Sequence, residues 1–322
     1  MAKKKYALLI SPSAKSAYFA DYVAVAKAEL KFVLGLDKCK LEKKGDLEFF
    51  IISAQESQLI QALSLSFVMG AFEKTTAGLI PVDHSPHLRF HSDFVFGSKY
   101  KGKTNEHLTK LLINLGLSCV KDTGKESIKL LDPMCGRGTT LMWALRYGMN
   151  CRGIERETSV LPEIRQHLKK WCKLHKQKHS LKEGFVTKAN KKQSGKFIEL
   201  TLPKKNDDPE LKAQIICGDT READTLLNEE KFHIIASDLP YGVQHTTQDG
   251  KRNPIETLNE CAYSWKKCLK PNGYIVLAYN KYIPKREAVI DAFTSVGMSH
   301  VPFEAPHRMS ESIVRDIVIF TH

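Results

Sequence analysis

Apolar residues in this chain recur in two alternating rhythms, one suited to strands and one to helices. Lys5 to Ser13 (KYALLISPS) reads as a strand stopped by Ser-Pro, and Leu47 to Ser53 (LEFFIIS) as a second. Between them, Ala17 to Leu36 carries Tyr18, Tyr22, Val25, Leu30, Val33 and Leu34 at helical spacing. Glu56 to Phe72 repeats that spacing with Leu59, Leu63, Phe67 and Ala71, and Thr76 to Val82 reads as a third strand. The pattern predicts a small α/β module over residues 1–91, without recognisable chemistry, that packs or positions a substrate.

From residue 105 the alternation is longer and more regular. Thr104 can cap a helix from Asn105 to about Leu117, striped by Leu108, Leu111, Leu112 and Leu115, which should pack beside the first strand of a new sheet. Short apolar strands follow at Ile128–Leu131, Cys151–Ile154, Ile215–Cys217, Phe232–Ala236, Tyr274–Ala278 and Ile313–Phe320. Helical stretches intervene at Thr140–Tyr147, from Pro162 to about His179, at Ile255–Lys270 and at Lys285–Val296. Such alternation predicts a mostly parallel, doubly wound Rossmann-like sheet over residues 92–322, with helices on both faces. Residues 180–212 exceed an ordinary connection and predict an insertion with its own hairpin.

Four acids sit where these strands end: Asp132, Glu155, Asp219 and Asp238. Ligands of such sheets bind outside the carboxyl ends of the strands. Gly136 and Gly138 give a tight turn after Asp132, where backbone N–H groups can approach a nucleotide, and Glu155 can accept both ribose hydroxyls. The third glycine of the dinucleotide fingerprint is missing, and Asp132 would repel a pyrophosphate. An acid there suits a ligand bearing an amino group or a sulfonium, and S-adenosyl-L-methionine carries both. After the fourth strand, Ser237-Asp-Leu-Pro-Tyr-Gly242 can hold an exocyclic base amine. Asp238 and the Leu239 carbonyl accept its two hydrogens, Pro240 stiffens the loop and Tyr241 offers a ring for stacking. A base in a duplex must be swung out to reach such a pocket.

Composition narrows the partner. The net charge is +13, and Glu163 to Lys196 holds eleven Lys/Arg against two Glu, which points to a polyanion. Lys188, Lys191, Lys192 and Lys196 are the candidate phosphate contacts. No long apolar run and no secretory leader is present, and eight scattered cysteines lack a Cys-x-x-Cys pair, so a cytoplasmic protein with free thiols and no membrane is expected. His84, His87 and His91 share a linker broken by Pro86, while Cys172, His175 and His179 lack a fourth partner, so no metal is expected.

Asp132-Pro-Met-Cys-Gly-Arg-Gly-Thr139 and Ser237-Asp-Leu-Pro-Tyr-Gly242 resemble the paired motifs of class I S-adenosylmethionine-dependent amino-methyltransferases, and most closely the tRNA guanine-N2 methyltransferases. Lys99-Tyr-Lys-Gly-Lys-Thr-Asn105 resembles the segment preceding that family's catalytic domain. The resemblance implies that Asp132, Cys135, Gly136 and Gly138 line the methionine side of the cofactor. It further implies that Glu155 binds the ribose, that Asp219 meets the adenine amine and that Asp238, Leu239, Pro240 and Tyr241 hold the target. Leu239 departs from the general Asn/Asp-Pro-Pro-Tyr motif, as in some guanine-N2 members. The front module resembles the family's N-terminal ferredoxin-like part but is too short for a full THUMP domain. The expected reaction is methylation of a guanosine N2 amine in tRNA, with a small activating subunit as a conceivable partner. The alternatives are an adenine-N6 methyltransferase on rRNA or DNA, a nucleic-acid-binding protein without catalysis, and a nicotinamide oxidoreductase.

Overall fold

The computed structural model describes residues 3–322 except 85, 87, 98–102, 121–126, 189–190, 205–208, 241–253 and 309–312, and the side chains of 187–194 are likewise not described. The chain divides into two compact units, residues 1–87 with 303–316, and residues 88–302 with 317–322. The return of 303–316 to the first unit has no counterpart in the sequence pattern.

In the first unit, β1 (Lys4–Ile10) leads to α1 (Pro12–Tyr18) and α2 (Tyr22–Leu34), then β2 (Lys40–Lys44), β3 (Leu47–Ala54), α3 (Glu56–Ala62), β4 (Val68–Thr75) and β5 (Gly78–Pro81). The sheet order is β2-β3-β1-β4-β5, and the neighbouring strands pair antiparallel. Apart from the β5 hairpin, this is the ferredoxin-like arrangement. Tyr6, Leu8 and Ile10 alternate along β1 onto a core shared with Phe50 and Ile52 of β3, Leu30 of α2 and Leu59 of α3.

Two helices expected here are shorter. The run 17–36 breaks at Phe19, whose φ is 48°, and resumes at Tyr22. The run 56–72 is helical only to Ala62, because residues 68–75 supply the antiparallel partner for the open edge of β1. That edge exposes a row of unpaired N–H and C=O groups, so strand pairing overrides the local helical period. Residues 76–77 become the turn into β5.

The second unit opens with α4 (Asp93–Phe96) and α5 (Glu106–Cys119). Asn105, not Thr104, caps α5, its side chain accepting from the His107 and Leu108 N–H groups. Then follow β6 (Lys129–Asp132), α6 (Thr139–Arg146), β7 (Asn150–Glu155), α7 (Val160–Leu174), β8 (Ser180–Lys188), β9 (Lys191–Leu202), β10 (Leu211–Cys217), α8 (Ala223–Leu226), β11 (Phe232–Asp238), α9 (Pro254–Lys267), β12 (Leu269–Asn280), α10 (Arg286–Thr294) and β13 (Ser299–Val301); β14 (His307–Arg308) and the first residues of β15 (Val314–Thr321) fall in the stretch grouped with the first unit, and β15 ends in the second.

The sheet order is β13-β15-β12-β11-β6-β7-β10-β9-β8, with β14 on β15. Neighbours from β12 to β10 are parallel, while β9 joins β10 antiparallel and β8 closes the hairpin on β9. This is a mixed, mostly parallel, Rossmann-like sheet. The predicted hairpin is therefore an extension of the main sheet.

Alternation along β11 sends successive side chains to opposite faces. Ile235 joins the core of Trp265 from α9 and Phe293 from α10. Ile234 faces α5, where a Cβ added at Gly116 would stand 2.8 Å from its Cγ2. Thus α5 covers β11 and β12 rather than the first strand, as glycine permits the close approach. Pro271-Asn-Gly273 bulges out within β12, where Asn272 has a φ of 59°. The helix expected to reach His179 stops at Leu174.

Candidate active site

The parallel strands align their carboxyl ends along one edge of the sheet. Asp132 ends β6 opposite Gly153, Glu155 ends β7 opposite Cys217, and Asp238 ends β11 opposite Ala278. Asp219 stands two residues beyond β10. Read across the sheet, the acids run Asp238, Asp132, Glu155, Asp219, a row of roughly 15 Å at ordinary strand spacing. From β6 the chain winds outward through β7 to β10, then crosses back to β11. The crevice between β6 and β11 is therefore the topological switch point, where ligands of open α/β sheets bind.

The loop after β6 is held by its own backbone. Cys135 N–H donates to the Ile154 carbonyl at 3.0 Å, and Gly138 N–H to the Cys135 carbonyl at 2.8 Å. Gly136 and Gly138 have φ of 50° and 81°, conformations that favour glycine. A Cβ at Gly136 would stand in open space, so the backbone there is not covered by packed side chains. Gly138 opens α6, whose first N–H groups suit an anionic or polar ligand. The Cys135 side chain turns toward β7, and a Cβ at Gly153 would lie 2.7 Å from its sulfur. Burial, then the charges of Asp132 and Glu155, push that thiol well above its usual range. Cys135 thus shapes the loop through its backbone and packing.

Asp132 is almost fully buried. Its Oδ1 accepts from the Met134 N–H at 3.1 Å and from the Ser237 hydroxyl at 2.7 Å. Burial pushes its carboxyl up to about 6, against the hydrogen bonds of Thr140, Ser237 and Met134 that hold it down, and Asp238 adds a further upward push. Half-buried Glu155 accepts the Glu157 N–H at 2.9 Å, which fixes one oxygen at the end of β7. A carboxylate has acceptor sites to spare for ribose hydroxyls. Asp219 is differently engaged. It caps the short turn Thr220–Glu222 and takes both Nε and Nη2 of Arg221, which also reaches Glu260 at 3.0 Å. The Arg221 hydrogen bond holds the Asp219 carboxyl below its usual range.

On the other side of the crevice, Ser237 is buried, Asp238 half-buried, Leu239 buried and Pro240 exposed. Leu239 N–H donates to the Ala278 carbonyl at 2.9 Å, so β12 anchors the loop one residue beyond Asp238. Tyr241 lies outside the described residues. Lys196 stands on β9, while Lys188, Lys191 and Lys192 fall in β8 and β9 with side chains outside the described residues.

Sequence reasoning missed three contributors. Ser237 joins the two motifs, Gly153 makes room for Cys135, and Arg221 pairs with Asp219. The Ser before Asp238 was visible in the motif, but only the β6–β11 pairing brings it to Asp132.

This sheet order, with a glycine loop after its first strand and acids at successive strand ends, defines a class I S-adenosylmethionine-dependent methyltransferase. The chain belongs to the family described as RMKL-like, methyltransferase domain, which matches residues 103–292, more than half of its 322 residues. S-adenosyl-L-methionine is its cofactor. Solved structures of similar fold include magnesium protoporphyrin IX methyltransferase from Synechocystis with bound S-adenosylmethionine, at 10% identity and a TM-score of 0.42, over 71% of this chain and 88% of that one. A Pyrococcus horikoshii protein named as an RNA methyltransferase is 14% identical with a TM-score of 0.40, over 83% and 98%. An rRNA methylase from Streptococcus thermophilus is 12% identical with a TM-score of 0.35, over 61% and 86%. No curated protein matches the chain. Among the described residues, no helix is long and apolar enough to cross a membrane.

Proposed function

We propose that this chain transfers the methyl group of S-adenosylmethionine to the exocyclic N2 amine of a guanosine in tRNA. The observation that carries this reading is the place of Asp238, at the end of β11 beside the switch point and next to Ser237, which is bonded to Asp132. In this reading the glycine loop, with Cys135, Gly136 and Gly138, cradles the methionine side. Asp132 faces its positive charge, Glu155 takes the ribose and Asp219 the adenine end. Two observations fit the group: the uncovered backbone at Gly136, and the spare acceptor sites of Glu155.

When bound, the cofactor supplies an electrophilic methyl on a sulfonium. The remaining work falls to this chain. A base amine is a poor nucleophile because its lone pair is delocalised into the ring. Asp238 and the Leu239 carbonyl accept hydrogen bonds from its two hydrogens and turn the nitrogen lone pair toward the methyl. As the N–C bond forms and the S–C bond breaks, the proton the nitrogen sheds passes to Asp238, while Pro240 fixes the loop and Tyr241 stacks on the base. Positioning by this loop sets the near-attack geometry.

The net charge of +13 and the lysine-rich β8–β9 hairpin support an RNA substrate, with Lys188, Lys191, Lys192 and Lys196 on its phosphates. The first unit would help position that RNA. Nucleoside digests of RNA from cells with and without the gene test the reading. Loss of N2-methylguanosine from the tRNA fraction is expected. Loss of N6-methyladenosine alone would assign the adenine reaction instead, and unchanged digests would contradict both.

A further inference from the structure

Away from the strand ends, His175 meets His91 and Asp93, although Asp93 lies 82 residues earlier in the chain. His91 precedes α4, Asp93 is its first residue and His175 caps the end of α7. His91 Nδ1 stands 3.0 Å from Asp93 Oδ1, and His175 Nε2 stands 2.8 Å from Asp93 Oδ2. Ligand atoms from all three residues lie within 4.8 Å of one another.

The group is built from behind. Trp171, buried against Phe90 and Phe94, donates its indole N–H to Asp93 Oδ1 at 2.9 Å. The same ring stacks on His175 with centroids 4.4 Å apart and an interplanar angle of 22°. One indole therefore orients both a carboxylate and an imidazole, the outer-shell support that metal ligands commonly have.

Geometry and donor type then select an ion. At bond lengths of about 2.0–2.1 Å, donors around a tetrahedral ion stand roughly 3.3 Å apart. The N–O contacts of 2.8 and 3.0 Å fall on the two different Asp93 oxygens, and the three donor atoms lie within 4.8 Å of one another, so an ion would draw them to that spacing. The His91 side chain is 68% exposed and can adjust its rotamer, and its open side admits water. Imidazole with carboxylate suits Zn²⁺ and its neighbours, whereas Ca²⁺ and Mg²⁺ take oxygen donors.

We propose that His91, Asp93 and His175 form a binding site for a divalent transition-metal ion of the Zn²⁺ type, with water completing the shell. The ion takes neutral imidazole nitrogens, so binding releases any proton that either histidine shares with Asp93. It clamps the segment before α4 to the end of α7, from which the chain passes into the basic hairpin. Its role is structural and independent of the methyltransferase reading.

The test uses the full chain, free of any affinity tag and stripped with a chelator. It is titrated with Co²⁺, followed by absorption, and with Zn²⁺, followed by equilibrium dialysis. One equivalent bound at micromolar concentration is expected, displaced by at least tenfold in affinity in His91→Ala, Asp93→Asn and His175→Ala but not in His179→Ala. Zn²⁺ should also raise the melting temperature of the parent and leave that of His91→Ala unmoved; His91 is exposed, so this variant folds. A parent that takes up no ion, or a His91→Ala variant that binds like the parent, would show that the cluster is only a hydrogen-bonded clamp.

Discussion

Ser237 donates a 2.7 Å hydrogen bond to Asp132 across the junction of β6 and β11, so one motif holds the key carboxylate of the other. Asp132 has a carboxyl at about 6, raised chiefly by burial, against about 3.9 in an unfolded chain. The folded state thus holds the proton more tightly. The stability this contributes is complete below the unfolded value and is lost as pH rises through the folded one. Asp132→Asn, which cannot ionise, should therefore gain on the cofactor-free parent by up to roughly 3 kcal/mol between about pH 4 and 7. Ser237→Ala removes a bond that holds the carboxyl down and should move the midpoint upward. Urea unfolding across that range checks both, and a flat difference between Asp132→Asn and parent would remove this ionisation from the account.

Glu155 is argued to take the ribose hydroxyls. Replacing it by Ala should weaken S-adenosylmethionine or its demethylated product by about 1.5–3 kcal/mol, the worth of a hydrogen bond to a charged group. Glu155→Gln keeps an acceptor for the Glu157 N–H and so separates lost binding from a loosened loop. Calorimetry that finds the Ala variant as tight as the parent removes Glu155 from the site.

Gly153 is required by its neighbour. An added Cβ would lie 2.7 Å from Cys135 Sγ, so Gly153→Ala should cost about 1–3 kcal/mol through overpacking. Cys135→Ala in the same chain should recover part of that loss. Additive losses in thermal unfolding would contradict the contact.

If the hairpin grips phosphates, each contact releases counterions and log affinity falls linearly with log salt. Changing Lys188, Lys191, Lys192 and Lys196 to Gln should weaken RNA binding and flatten that slope by up to about 0.7–0.9 per lost contact. Cofactor affinity should not move. Equal RNA affinity and slope in variant and parent would make the hairpin a solvated surface.

The alternation of strands with helices and the row of acids were legible because buried parallel strands are short apolar runs, and β6, β7 and β11 end on Asp132, Glu155 and Asp238. The split of residues 56–72 into α3 and β4 was not, since only the open edge of β1 selects a strand there. Nor was the pairing of Arg221 with Asp219, two residues apart on a turn whose geometry the sequence does not display. His91 and His175 read as two poor metal sets, because their meeting at Asp93 is a product of how α7 packs. Residues that act through tertiary contact are invisible to spacing.

The most direct test of the central claim pairs the parent with Asp238→Ala on purified tRNA with labelled S-adenosylmethionine, followed by nucleoside analysis. Asp238 is held to address the target amine and not the cofactor. The parent should therefore form N2-methylguanosine, and the variant should form essentially none in a single turnover while binding the cofactor nearly as before. A variant that methylates at the parent's rate, or a parent that places the label elsewhere than guanine N2, would contradict the account.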